Sequence, residues 1–325
     1  MDSHLVNPWG LSVSPTSPWW VSDNGTGLST LYNGAGAAQS LVVTIPAVPG
    51  ATDPSAPTGT VFNGVATDFL VAPGKPSHFL FATEDGTIAG WNSGTSAVLM
   101  VNNAGNAVYK GLAIANRSGA QFLYAANFQA GTVDVFDSAF HPVALGADAF
   151  RDPRVPANFA PFNVQAIGSN LYVTFAQKEA GSIDEVHGAG KGFVAEFTPD
   201  GNFVRRLRWG AWFNAPWGVA LAPADFGRAS GRLLVGQFGS GKIASFDPRT
   251  GEFRGLLRGD HGRPIVIEGL WALAFGNGAN AGPKNTLYFT AGIDDEAHGL
   301  FGTLTAAAGA SDDKSDDHAS DDGND

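Results

Sequence analysis

Two pentapeptides in this chain share one pattern: Asp184-Glu185-Val186-His187-Gly188 and Asp295-Glu296-Ala297-His298-Gly299. The chain has 7 histidines, and two of them stand behind identical Asp-Glu pairs. Imidazole beside carboxylate is a donor set that suits a divalent metal, and it is also an acid/base pair. Three readings stay open. Asp184, Glu185, His187, Asp295, Glu296 and His298 hold a metal or ligand. Alternatively Glu185, His187, Glu296 and His298 do acid/base catalysis. Or the loops fasten neighbouring units and recur by duplication. If a metal binds, calcium suits a hydrolase-like reaction, whereas copper or iron suits a redox reaction on two histidines.

A second set is aromatic. Trp9, Trp217 and Trp271 occupy matching turns, and Asn214 precedes Trp217 by three residues. Such side chains line a pocket for a small-molecule ligand, or they pack between structural units. The run Gly188-Ala189-Gly190-Lys191-Gly192 looks like a phosphate loop. A strand-like segment follows it rather than a helix, so the helix N-terminus that would bind an anion is missing.

The elements that carry these residues repeat. A short apolar strand recurs in NPWGLSV (7–13), NGVATDFLV (63–71), KGLAIA (110–115), APFNVQAI (160–167), APWGVALA (215–222) and EGLWALAF (268–275). Each copy is followed by a second strand and, after a glycine, a third. Most copies add a fourth, such as QSLVVTIP or FVRRLRWG. Six units of about 50 residues, each with three or four short strands, predict a six-bladed β-propeller. The expected domain is 1–306, with blades starting near 7, 63, 110, 160, 215 and 268, followed by a tail over 307–325. No fourth strand follows the last unit, so ring closure is expected to be weak. The loops between second and third strands share one face. They offer Asp23, Asn24, Glu84, Asp85, Asn127, Gln129 and Gln237 beside the two pentapeptides.

Composition limits the alternatives. The 325 residues are 44% hydrophobic and 15% charged, which is enough to build a core. Cysteine is absent, so thiol catalysis and cysteine-ligated metals are excluded. The net charge is -11, with no basic stripe, so nucleic acid is not an expected partner. No apolar run is long enough for a membrane span. Residues 311–325 are rich in aspartate and read as a disordered solvated tail. A monomer is expected.

The motifs NPWG (7–10), DEVHGAGKG (184–192), APWGVALAPADFG (215–227) and TLYFTAGIDDEAHGLFG (286–302) resemble those of an uncharacterised bacterial family of propellers expected to be secreted. Some members of that family carry a PEP-CTERM-type sorting tail. The resemblance implies a secreted or periplasmic six-bladed propeller with no established reaction. More distantly, the strands near Val133–Asp137 and Ile243–Pro248 are similar to NHL-repeat and gluconolactonase-type propellers. The latter hold a divalent metal over the channel with carboxylates and asparagines.

Overall fold

The computed structural model describes residues 2–259 and 261–307. The acidic stretch 311–325 lies outside them. Six antiparallel sheets form the blades of a propeller. Blade 1 runs through strands Pro8–Ser12, Trp19–Asp23, Leu28–Tyr32 and Ala38–Thr44. Blade 2 uses Pro57–Phe62, Phe79–Thr83, Thr87–Trp91 and Val98–Asn102. Blade 3 has three strands, Tyr109–Arg117, Ala120–Asn127 and Thr132–Phe136. Blade 4 has Phe159–Ile167, Asn170–Gln177, Phe193–Phe197 and Phe203–Arg206. Blade 5 has Pro216–Leu221, Leu233–Gln237, Ile243–Phe246 and Phe253–Leu256. Blade 6 has Leu270–Phe275, Thr286–Ile293 and His298–Thr305. The one helix among the described residues is a 3-10 turn, Gly227–Ala229. None is long and apolar enough to cross a membrane.

Burial follows strand position. The second strands WWVSD, FLFAT and LLVGQ are buried at every residue, because neighbouring blades cover both faces of a sheet. The fourth strand AQSLVVT is largely exposed at the rim. First strands of successive blades pack side by side, and that of blade 6 packs on that of blade 1.

Every first strand breaks register near its start: between Pro8 and Leu11, Pro57 and Thr60, Tyr109 and Leu112, Pro161 and Asn163, Pro216 and Val219, Leu270 and Leu273. A bulge re-aims a side chain. At this place the blades carry Trp9, Thr58, Lys110, Phe162, Trp217 and Trp271. Four of these are aromatic and share one buried cluster with Phe128. A glycine follows in four blades, and Gly59 shows why. A Cβ there would collide with the backbone of Gly111 and Leu112 in the next blade.

Blade 2 departs from the sequence expectation. Its inner strand is Pro57–Phe62, and the run 63–71 lies after it, in a loop that includes the short hairpin Leu70–Ala72/Lys75–Pro76. Phe69 in that loop is fully buried with φ 53°, and its N–H bonds the Ser138 carbonyl. Its apolar character therefore reports packing rather than an inner strand.

Closure is also denser than expected. Trp271 Nε1 donates to Asn7 Oδ1 at 2.9 Å, Thr290 Oγ1 to the Trp9 carbonyl at 2.6 Å, and Trp19 Nε1 to the Ala281 carbonyl at 2.9 Å. Asn277 Nδ2 donates to the carbonyls of Ser14 and Ser17. Side chains and loops join blade 6 to blade 1, with no borrowed strand among the described residues.

Candidate functional site at the mouth of the central channel

The aromatic cluster plugs the channel. Trp271 stacks on Trp9 with ring centroids 3.6 Å apart, and Phe238 stacks on Trp271 at 3.9 Å. Trp217 meets both tryptophans edge-on. Above the plug opens a cavity of about 610 Å³. All six blades contribute to its lining, blade 3 through the inner-strand residue Lys110 alone.

Lys110 stands at the centre of this site. It occupies in blade 3 the position that Trp9, Phe162, Trp217 and Trp271 hold in theirs. Its side chain is 2% exposed, and Nζ lies 3.1 Å from Glu84 Oε1, 3.5 Å from Glu185 Oε2 and 3.9 Å from Asp184 Oδ1. The same ammonium sits over Trp9, Phe128 and Phe162, 5.3–5.6 Å from their centroids. Burial opposes its charge, but the carboxylates outweigh that and hold its pKa above the ordinary lysine value.

Glu185 has a second partner. Its Oε1 lies 3.2 Å from His187 Nε2. This hydrogen bond raises the His187 pKa against the opposing effect of partial burial. Glu185 is 6% exposed and His187 48% exposed, so the carboxylate is fixed and the imidazole faces the cavity. The His187 and Phe238 rings meet in a T-shaped contact with centroids 5.1 Å apart. On the far side, Asn24 Nδ2 donates to Glu84 Oε2 at 2.9 Å. Asn24 Oδ1 accepts from Asn7 Nδ2, whose Oδ1 accepts from Trp271. One chain of polar contacts thus runs from Trp271 through Asn7, Asn24, Glu84, Lys110 and Glu185 to His187.

Glu296 enters from blade 6. Asp294, Asp295 and Glu296 all take left-handed backbone, with φ of 55°, 49° and 65°. Three successive non-glycine residues there are strained and persist only where the surroundings hold them. Burial and then the charges of Glu185 and Glu84 push the Glu296 carboxyl up to about 7, against the pull of Lys110. No cation lies within ion-pair distance of Glu296 among the described residues.

The predicted residues separate. Asp184, Glu185, His187, Asp295, Glu296, Trp9 and Trp271 line the cavity, whereas His298, Asn214 and Trp217 do not. The pentapeptides sit in unequal loops. Blade 4 has a long connection from Gln177 to Phe193, so His187 falls in its middle. Blade 6 turns within Asp294–Ala297, so His298 is already the first strand residue. Asn214 acts on the blade 4 loop instead, its Oδ1 accepting the Gly188 N–H at 2.7 Å. Trp217 Nε1 donates to the Lys110 carbonyl at 2.8 Å and fixes the lysine backbone. Among the described residues no three histidine or carboxylate side chains are grouped to hold a metal ion. Lys110 already stands between Glu84, Glu185 and Asp184, so the cation held by these three carboxylates is the lysine ammonium.

Sequence reasoning named Glu84 and Asn24 as loop residues and missed Lys110. The signal was present. Aligning Lys110-Gly111-Leu112 with Trp9-Gly10-Leu11 puts a charge into an otherwise mostly aromatic column.

The chain matches no established family profile. Among solved structures it is similar to a streptogramin B lyase, with a TM-score of 0.53, 10% identity, and coverage of 94% of this chain and 96% of that one. It is similar to the Kuenenia stuttgartiensis hydrazine synthase, with a TM-score of 0.55, 13% identity and coverage of 93% and 78%. A gluconolactonase from Xanthomonas campestris gives 0.50, 16%, and coverage of 86% and 79%. At these identities the likeness concerns the propeller fold alone. Closer in sequence are two proteins of Acanthamoeba polyphaga mimivirus. Uncharacterised protein R648 is 31% identical over 316 residues, covering 93% of this chain and 76% of that one. Uncharacterised protein L690 is 33% identical over 316 residues, with coverage of 93% and 81%. The chain belongs to the uncharacterised propeller family of mimivirus proteins R648 and L690.

Proposed function

We propose that this protein binds a small polar molecule in the cup at the channel mouth. One observation carries the reading: Glu84, Lys110, the Glu185–His187 pair and Glu296 converge from blades 2, 3, 4 and 6 on a single cavity of about 610 Å³. That volume suits a metabolite, and an apolar floor with a few placed polar groups is the usual make-up of a ligand site. The test is a thermal-shift screen of a metabolite panel on the full chain and on His187→Ala and Glu296→Gln. A ligand of this cup raises the melting temperature of the wild-type chain and loses most of that effect in the variants. Ligands that stabilise all three proteins equally would place binding elsewhere.

Acid/base catalysis on the bound molecule is a second reading. It is favoured by the Glu185–His187 pair and by Glu296, whose pKa of about 7 suits proton transfer near neutrality. The structural neighbours include proteins named as a lyase and a gluconolactonase, and no reaction is taken over from them. Turnover with a bell-shaped pH profile, lost in Glu296→Gln, supports this reading. The motif resemblance supports a location outside the cytoplasm, which fractionation of cells expressing the natural gene tests.

A further inference from the structure

We infer that the molecule taken by this cup is a small organic cation bearing hydroxyl or carbonyl oxygens, with Glu296 as the carboxylate that receives its charge. The inference rests on the reading of the cup as a ligand site and adds the ligand's chemical class.

The first support is charge. Six carboxylates line the cavity, against one lysine and one histidine. Lys110 is engaged with Glu84, Glu185 and Asp184, and His187 with Glu185. Glu268, Asp295 and Glu296 face the same space with no ion-pair partner among the described residues. An anionic ligand would meet like charge there, and a cation would meet opposite charge in a partly desolvated setting, where such pairing is strongest.

The second support is an arrangement already occupied by an ammonium. Lys110, Trp9, Trp271 and Phe238 form one continuous column, with the lysine cation at one end against Trp9. The protein thus holds a buried ammonium with carboxylates and aromatic faces. At the other end Phe238 is half-buried on the cavity wall, within the same cup as Glu296. The materials that hold one cation recur at this end, where the His187 ring that meets Phe238 is already engaged by Glu185.

The third support is an unmet donor. Trp9 lines the cavity and is 3% exposed, and its Nε1–H has no acceptor among the described residues. The tryptophans at the same position in blades 5 and 6 both donate, to the Lys110 carbonyl and to Asn7. A buried donor without a partner is unfavourable, and a ligand oxygen that reaches this N–H from the cavity side of the Trp9 ring would satisfy it.

The experiment uses two matched sets of probes, each an amine, an alcohol and a carboxylate on one frame: tryptamine, tryptophol and indole-3-acetate; and glucamine, sorbitol and gluconate. Binding to the full chain is measured by calorimetry and ligand-observed NMR at low salt. In at least one set the amine binds about tenfold or more tightly than its alcohol, and the carboxylate does not bind. In Glu296→Gln that preference falls to about twofold or less. Should that variant fail to fold, the wild-type preference for the amine must shrink as sodium chloride rises, since partly open charge pairs are screened. Alcohols or carboxylates that bind the cup as well as the amines overturn the cation assignment and leave the cup as a ligand site. An amine preference unchanged in Glu296→Gln, or by salt, overturns the role of Glu296. Failure of every probe to bind counts against the ligand reading as well.

Discussion

Lys110 of blade 3 and Glu84 of blade 2 meet at 3.1 Å with the lysine side chain almost wholly out of solvent. A buried ammonium is tolerable only with its carboxylates in place, and removing one partner strands the others. Lys110→Met leaves Glu84, Glu185 and Asp184 facing one another. It should destabilise the protein by about 3 kcal/mol in urea unfolding, more than removal of an exposed lysine. A loss below about 0.5 kcal/mol would mean that the cluster is solvated and does not organise the site.

Glu296 gives a pH signature. Its carboxyl is raised from the ordinary glutamate value of 4.5 to about 7. Between those values the native state binds more protons than the unfolded chain, so stability falls as pH rises through that window. Burial raises this carboxyl most, Glu185, Glu84 and Asp184 add to that, Lys110 lowers it, and His187 lies within its field. Glu296→Gln removes the desolvated charge and its repulsion and should gain about 1 kcal/mol over wild type at pH 8, discounted for the open cavity, and nothing at pH 4. Unfolding curves of both proteins at the two pH values test this. Equal pH dependence in the two would show that Glu296 ionises freely.

His187 should titrate above its ordinary value because Glu185 accepts its Nε2 proton. The stabilisation from this pair is complete below the unfolded histidine pKa and is lost as pH rises through the folded one. Glu185→Gln should lower the His187 pKa, read from its ring proton shifts in NMR. An unchanged titration would show that the pair does not persist in solution.

Much of the fold is legible in the sequence because blade spacing is set by strand length and turn chemistry, both local. The inner strand of blade 2 escapes because PTGTVF is short and carries two threonines, while the nearby Phe69 and Leu70 look more strand-like. The site is half legible. The repeated Asp-Glu-x-His pattern brings Glu185 and Glu296 to one cavity. Loop length then decides which histidine joins them, and pattern matching does not see that the blade 6 loop ends one residue before His298. Lys110 escapes because a lysine at the start of a strand is ordinarily a solvated end, and only alignment with Trp9 and Trp217 shows it to be an inner residue.

Packing at the axis gives a further test. A Cβ at Gly59 would strike the backbone of Gly111 and Leu112. Gly59→Ala should destabilise by about 2 kcal/mol, because two inner strands must separate. Gly36→Ala is the control for space alone, since nothing lies near its Cβ position, although its φ of 80° adds strain. If Gly59→Ala proves no worse than Gly36→Ala, the inner strands are looser than described.

The claim that the channel-mouth cup is the working site is tested most directly by a crystallographic fragment screen. The account predicts that bound fragments cluster in the cup between His187, Phe238 and Glu296, with cationic fragments over-represented. Fragments gathered at another surface, with none in the cup across the whole screen, would contradict it.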